Sequence, residues 1–83
     1  MKVVVRYFAS IRETLGVGTE TLEVTSPTLA ALRDTLIARG GPSAEALARG
    51  KAVRMALDQV MCDESATLRD GCEVAIFPPV TGG

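Results

Sequence analysis

The strongest structural signal in this chain lies at residues 26–37, which read SPTLAALRDTLI. Ser26 suits the N-cap of a helix and Pro27 suits its first turn, so the pair predicts where a helix begins. Apolar side chains then recur at helical spacing; they are Leu29, Leu32, Leu36 and Ile37. Arg33 and Asp34 fall between them and are expected to face water. The segment therefore predicts the main helix, with its leucine stripe packed on a sheet.

Two segments of β-type sequence precede this helix. Residues 2–8 are almost continuously apolar, which predicts a central strand, and residues 19–25 alternate in polarity as a half-buried strand does. Between them, Ser10 and Glu13 have the spacing of a capping box, and Gly16 suits the end of a helix. We therefore expect a short helix that joins two antiparallel strands.

The second half of the chain adds further strands. Residues 40–42 read Gly-Gly-Pro and end the main helix, and residues 43–50 can form a short helical turn. Residues 53–61 predict a third strand with a kink or turn at Asp58, and residues 73–77 predict a last strand. One main helix on one face of a mixed sheet makes an α+β fold, and we expect a single domain.

Composition excludes several classes of function. The 83 residues carry a formal net charge of -1, which is too close to neutral to indicate a nucleic acid or an anionic membrane as partner. The chain has no His, so general acid–base catalysis lacks its usual side chain and no metal site is expected. Asp63 and Glu64 are acidic neighbours in a polar connection, which we expect to be a surface loop. The chain's own side chains are therefore poor candidates for catalysis.

The two cysteines, Cys62 and Cys72, bear on the compartment. The apolar N-terminal run is interrupted at Arg6, too early for a signal peptide, and no stretch approaches the ~18 apolar residues of a transmembrane helix. A reducing compartment then follows, in which two separated cysteines are free thiols in or near the core. We therefore expect a cytoplasmic protein with no membrane partner.

The C-terminal tail is the least ordinary part of the chain. It covers residues 78–83 and reads PPVTGG. Two prolines end the last strand and form a stiff spacer, and two glycines allow close backbone approach in a narrow channel. On these grounds the tail is either a frayed end or an arm that presents the carboxylate of Gly83 to another protein.

Residues 70–83, DGCEVAIFPPVTGG, resemble the ending of the small subunits of molybdopterin synthase, within the MoaD/ThiS family of ubiquitin-like sulfur carriers. Residues 7–13 resemble the family's first strand and short helix, and residues 27–33 its main helix. Residues 56–59 are similar to its third-strand segment, where Asn is more usual than Asp58. The resemblance implies a β-grasp fold with a flexible C-terminal tail.

The same resemblance implies the chemistry. An E1-like adenylyltransferase would use ATP to activate the terminal carboxylate of Gly83, and a sulfur donor would convert it to a thiocarboxylate. Thr81 and Gly82 would enter the active site of the large synthase subunit with it, where the sulfur passes to cyclic pyranopterin monophosphate. The implied assembly is a heterotetramer of two small and two large subunits. No bound cofactor is implied for the small subunit, and the catalytic side chains are expected on the large one.

The residues implied to bind the partner are Phe8, Met61, Phe77, Pro78, Pro79 and Val80. For Phe8, Met61 and Phe77 the alternative of a place in the core stays open. Two other functions also stay open. One is a sulfur carrier for thiamine synthesis or tRNA thiolation, against which the Phe-Pro-Pro-Val spacer argues. The other is a ubiquitin-like binding module without covalent chemistry.

Overall fold

The computed structural model describes residues 1–79. The predicted tail residues Val80, Thr81, Gly82 and Gly83 lie outside the described residues. The elements in chain order are β1 (Lys2–Tyr7), α1 (Ala9–Leu15), β2 (Thr19–Glu23), α2 (Leu29–Ala38), α3 (Gly41–Leu47), β3 (Arg54–Leu57), β4 (Val60–Met61) and β5 (Glu73–Phe77).

The strands form one mixed sheet in the order β2-β1-β5-β3-β4. β1 pairs antiparallel with β2, as the sequence predicts, and parallel with β5. β5 in turn pairs antiparallel with β3, which forms a hairpin with β4. β1 is therefore an interior strand, and the expected α+β, β-grasp architecture is confirmed. No helix within residues 1–79 is long and apolar enough to cross a membrane.

The core lies between the sheet and α2. Alternate residues of β1 and β5 are buried on one face of the sheet; they are Val3, Val5, Tyr7, Val74 and Ile76. The predicted leucine stripe covers them, because Leu29, Leu32 and Leu36 are all fully buried while Ile37 is half-buried. Each buried leucine contributes roughly 2 kcal/mol of transfer free energy, so this stripe is the main apolar stabilisation of α2.

The start of α2 differs from its prediction. The helix begins at Leu29, and the hydroxyl of Thr28 accepts a hydrogen bond from the Ala31 N–H at 3.2 Å, so Thr28 is the N-cap. Ser26 is instead buried, with its hydroxyl 3.1 Å from that of Thr35. The predicted N-cap at Ser26 is therefore wrong, because the hydroxyl two residues later caps the turn that carries Leu29 into the core.

The start of α1 differs as well. Phe8 occupies the N-cap position and provides no side-chain hydrogen bond, and Ser10 already lies within the helix. The predicted capping box is therefore not formed. The predicted end is confirmed, since Gly16 has the left-handed φ of 78° and its N–H donates to the Arg12 carbonyl at 2.9 Å. Glycine adopts this conformation without the steric penalty of a Cβ atom.

The predicted third strand is divided by a tight turn. Asp58 and Gln59 both have positive φ, 49° and 70°, which is the pattern of a two-residue type I′ hairpin turn. Asp and Asn tolerate this region better than most residues, so the predicted turn at Asp58 is confirmed. Its carboxylate also accepts a hydrogen bond from the Glu73 N–H at 2.9 Å, which ties the hairpin to β5.

Arg33 contradicts the expectation that it faces water, because only 4% of its surface is exposed. Its guanidinium donates hydrogen bonds to the carbonyls of Leu47 and Ala48, each at 2.8 Å, and of Lys51 at 3.0 Å. It also pairs with the Glu64 carboxylate at 2.9 Å. The Ala48 carbonyl also accepts from the Lys51 N–H at 2.9 Å, so the Arg33 side chain completes the hydrogen bonding of the connection between α3 and β3.

Asp63 and Glu64 lie in a connection outside helices and strands, as expected, but Glu64 is held by ion pairs. Its carboxylate is half-buried and bridges Arg33 and Arg49, whereas the neighbouring Asp63 is exposed as expected. Burial opposes ionisation of Glu64, but the hydrogen bonds from the two guanidinium groups outweigh it and lower its pKa. Glu64 therefore fastens the segment after β4 to α2.

A second polar cluster joins the other end of α2 to the sheet. The Tyr7 hydroxyl donates to Glu20 at 2.6 Å, and Arg39 binds both oxygens of the same carboxylate at 3.0 Å. The hydrogen bond from Arg39 lowers the pKa of Glu20, and burial with the Glu20 contact raises that of Tyr7. The cluster thus links β1, β2 and the residue after α2.

The two cysteines are free, as expected. Cys72 is buried in the core and Cys62 is half-buried beside it. Both act as small apolar side chains in the packing.

We predict that Arg33→Met lowers the free energy of unfolding by about 3 kcal/mol, because it removes a buried donor to three carbonyls and one of the two guanidinium partners of Glu64. Urea unfolding measures this loss. Arg69→Met is the matched control, since Arg69 is exposed and pairs only loosely with Asp58 at 3.5 Å, and it should cost less than about 0.5 kcal/mol. Equal losses in the two variants would contradict the role given to Arg33.

We also predict that Glu20→Gln flattens the acid limb of the stability profile. The folded-state pKa of Glu20 lies below its ordinary value of 4.5, so the ionised carboxylate stabilises the fold above that pH. This contribution is lost as the pH falls through the lowered pKa. Urea unfolding from pH 3 to 7 measures it (roughly the range over which such a carboxylate titrates). Glu45→Gln, at an exposed position of α3, should keep the original slope; parallel profiles for all three proteins would refute the prediction.

Candidate functional site

The face of the sheet opposite the core is the candidate site, and we call it the open face. It carries the alternate residues that the core does not use; they are Lys2, Val4, Arg6, Thr19, Thr21, Glu23, Arg54, Ala56, Met61, Glu73, Ala75 and Phe77. Most of these side chains are exposed or half-buried, in contrast to the fully buried residues between them. The open face is thus the broad surface that the sheet leaves available.

Strand register fixes which of these residues are neighbours. One row across the sheet runs Arg6, Ala75, Ala56 and Met61, and Phe77 lies opposite Arg54 in the next row. The two alanines therefore form a low floor between longer side chains. Ala56 is only 6% exposed, although it faces away from the core.

An aromatic pair stands at one end of this floor. The Phe8 and Phe77 rings lie 6.5 Å apart between centroids with an interplanar angle of 84°, an edge-to-face arrangement. The Phe8 N–H donates to the Ile76 carbonyl at 3.1 Å, which extends the pairing of β1 with β5 up to the ring. Phe8 is 45% exposed, so the pair presents apolar surface to solvent.

The tail leaves the sheet at this aromatic pair. Pro78 and Pro79 follow Phe77 directly and are both half-buried. Neither has an N–H to donate, so the ladder of β5 ends here for a chemical reason. Whatever group the tail carries is consequently attached beside the open face.

The structure brings together the partner-binding residues that the resemblance implies. Met61 is 59% exposed and Phe8 lies on the same side of the sheet, so the alternative that these two are core residues is wrong. Phe77 is half-buried, and its ring faces Phe8 rather than the core. Their role in binding a partner stays a prediction, and the part assigned to Val80, Thr81, Gly82 and Gly83 lies outside the described residues.

Two features of the open face are absent from the sequence-based prediction. The alanine floor is one, because Ala56 and Ala75 are distant in sequence and only the β3–β5 register makes them neighbours. The cations are the other: Arg6 pairs with Glu73 at 3.1 Å, and Arg54 lies beside Phe77. The alternation of side chains in a strand over residues 53–57 could have predicted that Arg54 faces away from the core. It could not have predicted that Arg54 lies beside Phe77, because that depends on the register of β3 with β5.

The described residues offer little catalytic chemistry of their own. Within residues 1–79 no group of three or more Cys, Asp or Glu side chains is placed to hold a metal ion. The buried polar side chains in this part of the chain all have hydrogen-bond partners. The arrangement suits binding of a protein surface and presentation of a tail.

Comparison with known proteins agrees with this picture. The molybdopterin synthase sulfur carrier subunits of Escherichia coli K12 and Haemophilus influenzae are 40% and 39% identical over 79 residues, which cover 95% of this chain and 96% of each relative. A structure of the complex of subunits 1 and 2 of the molybdopterin-converting factor from Helicobacter pylori contains a chain that superposes with a TM-score of 0.70 at 28% identity, with both chains fully covered. The ThiS family matches residues 5–83, so this chain belongs to the ThiS family.

Proposed function

We propose that this chain is the sulfur carrier subunit of a molybdopterin synthase. The observation that carries the proposal is the 39–40% identity to two subunits of that name over 95% of the chain. The Gly-Gly ending and the open face beside the base of the tail support it. A carrier of this kind needs a stable body, a docking surface and a terminal group, and it needs no catalytic side chains.

The chemistry begins at the carboxylate of Gly83. In an E1-like adenylyltransferase, this carboxylate attacks ATP to form an acyl-adenylate and release pyrophosphate. A sulfur donor then attacks the acyl carbon, AMP leaves, and a thiocarboxylate remains. ATP is a substrate of the activating enzyme, and the carrier binds no cofactor.

Transfer then takes place on the large subunit. The tail, with Thr81 and Gly82, enters the active site of that subunit, and the terminal sulfur is delivered to cyclic pyranopterin monophosphate. Because two sulfur atoms are needed for each product, two charged carriers are used. A heterotetramer of two small and two large subunits meets this requirement. The carrier contributes position, since a tethered nucleophile reacts at a high effective concentration.

Docking would use the open face. Phe8, Phe77 and Met61 are the large apolar groups on it, and Pro78 and Pro79 extend that surface along the base of the tail. By the family resemblance, Val80 would also contact the partner. Burying such an anchor in an interface contributes about 2 kcal/mol or more. The same contacts set where the tail enters the partner, so binding and positioning depend on one surface.

The mass of the C-terminus tests the proposal. After incubation with ATP, the E1-like enzyme and a sulfur donor, Gly83 should gain the mass of one sulfur in exchange for one oxygen. A variant with one residue added after Gly83 is the control. It should unfold at the same temperature but yield no molybdopterin, because the reacting group is moved by about 3.5 Å.

The outcomes separate the functions that remain open. An unmodified mass with an active adenylyltransferase would favour a non-covalent ubiquitin-like module. A charged carrier that yields no molybdopterin with the large subunit and the pterin precursor would favour a carrier for thiamine synthesis or tRNA thiolation. Full activity of the extended variant would show that Gly83 is not the reacting residue.

Met61 and Val60 provide a matched test of docking. Both are exposed residues of β4, but Met61 lies on the open face opposite Ala56, and Val60, 66% exposed, points to the other side of the sheet. We predict that Met61→Ala weakens binding to the large subunit by ~30-fold, which corresponds to about 2 kcal/mol, and that Val60→Ala leaves it unchanged. Titration calorimetry measures both; equal effects would show that this face is not the interface.

A further inference from the structure

Arg54 is the one guanidinium on the open face that lacks a partner within residues 1–79. Arg6, the other guanidinium of this surface, is engaged with Glu73 at 3.1 Å. The Arg54 side chain is exposed and forms neither a hydrogen bond nor an ion pair in the described part of the chain. Its planar group of five N–H donors is therefore available to an acceptor from outside.

The nearest acidic residues do not meet this need. Arg54 lines a cavity of about 370 Å³ together with Met61, Asp63 and Glu64. Glu64 is already committed to Arg33 at 2.9 Å and to Arg49. Asp63 is exposed and makes no ion pair with Arg54. The guanidinium thus has no acidic partner in this part of the chain, and it lies beside the apolar groups Met61 and Phe77.

The alanine floor determines what can approach Arg54. Ala75 and Ala56 lie side by side, with Met61 beyond them and the Phe77 ring in the next row. Their methyl groups reach less far from the sheet than the Met61 and Phe77 side chains, so a protruding apolar side chain of a partner could be seated above them. Arg54 lies directly opposite Phe77 on the neighbouring strand, about 4.8 Å away in the hydrogen-bonding direction, so a group seated on the floor brings its neighbours within reach of the guanidinium.

We infer that Arg54 is a specificity-determining residue for the large synthase subunit, and that it pairs with a carboxylate beside an apolar side chain that the partner seats on Ala56 and Ala75. This inference rests on the proposed function. A guanidinium and a carboxylate can form two parallel hydrogen bonds, which fix orientation as well as distance. The tail begins at Pro78, directly after Phe77. An ion pair between Arg54 and a carboxylate of the partner would therefore hold the partner one strand away from the base of the tail.

Affinity for the large subunit as a function of salt tests the inference. Arg54→Gln should weaken the complex ~10-fold at low salt. It should also reduce the dependence of affinity on salt, because the attraction of an exposed interface charge is screened by salt. Lys2→Gln is the matched control: it removes one positive charge from the same face at the far end of β1, opposite Glu23. It should weaken binding by less than about two-fold.

Two further variants separate geometry from net charge. Arg54→Lys keeps the positive charge but loses the planar guanidinium that can donate two parallel hydrogen bonds. It should therefore bind more tightly than Arg54→Gln but less tightly than the unaltered chain. Ala75→Leu fills the space above the alanine floor, and it should weaken binding at least ~10-fold while the unfolding temperature stays the same. Thermal unfolding of every variant confirms that the fold is intact.

Equal effects of Arg54→Gln and Lys2→Gln would overturn the inference, because the loss would then be one of net charge. If Met61→Ala weakens binding while Arg54→Gln does not, the assignment of Arg54 fails and the proposed function stands. If the unaltered chain does not bind the large subunit, both fail together.

Discussion

The parallel pairing of β1 with β5 is the constraint on which the rest of the structure depends. It aligns Val5 with Val74 and Tyr7 with Ile76, which creates the apolar centre that α2 covers. On the opposite side of the same two strands, it places Phe8 beside Phe77 and starts the tail at Pro78. A parallel pair of strands requires a long crossover connection. The elements between β1 and β5 form this connection and bring the chain back beside β1. Core and candidate site are therefore two faces of one pairing.

Much of the fold could be predicted from local sequence because local chemistry determines it. The leucine spacing of α2, the glycine that ends α1 and the turn at Asp58 depend on the residues present at those positions. Arg33 could not be predicted in this way. Its acceptors lie at Leu47, Ala48 and Lys51, far along the chain, and a charged residue between leucines ordinarily faces water. The N-cap of α2 could not be predicted either, because Ser26 and Thr28 both offer a capping hydroxyl and packing of Leu29 selects between them.

The candidate site likewise has a part that could be predicted from the sequence and a part that could not. The tail and the aromatic residues near it could be found because residues 70–83 resemble a known family, and the identities to its sulfur carrier subunits confirm that assignment. The surface around them could not, since the alanine floor and the position of Arg54 depend on how β3 pairs with β5. A sequence pattern identifies the chemistry that a chain delivers, whereas the register of its strands determines which surface recognises the partner.

The central position of β5 also has a consequence for biosynthesis. β5 is the last strand in the chain, yet β1 and β3 both pair with it, so neither the sheet centre nor the core can close before its residues leave the ribosome. A nascent or prematurely terminated chain that lacks residues 73–77 exposes the unpaired edges of β1 and β3, which makes it a substrate for chaperones and proteases. Residues 73–77 complete the sheet and also lead directly to the tail, so the fold closes only around a chain in which that segment has been synthesised.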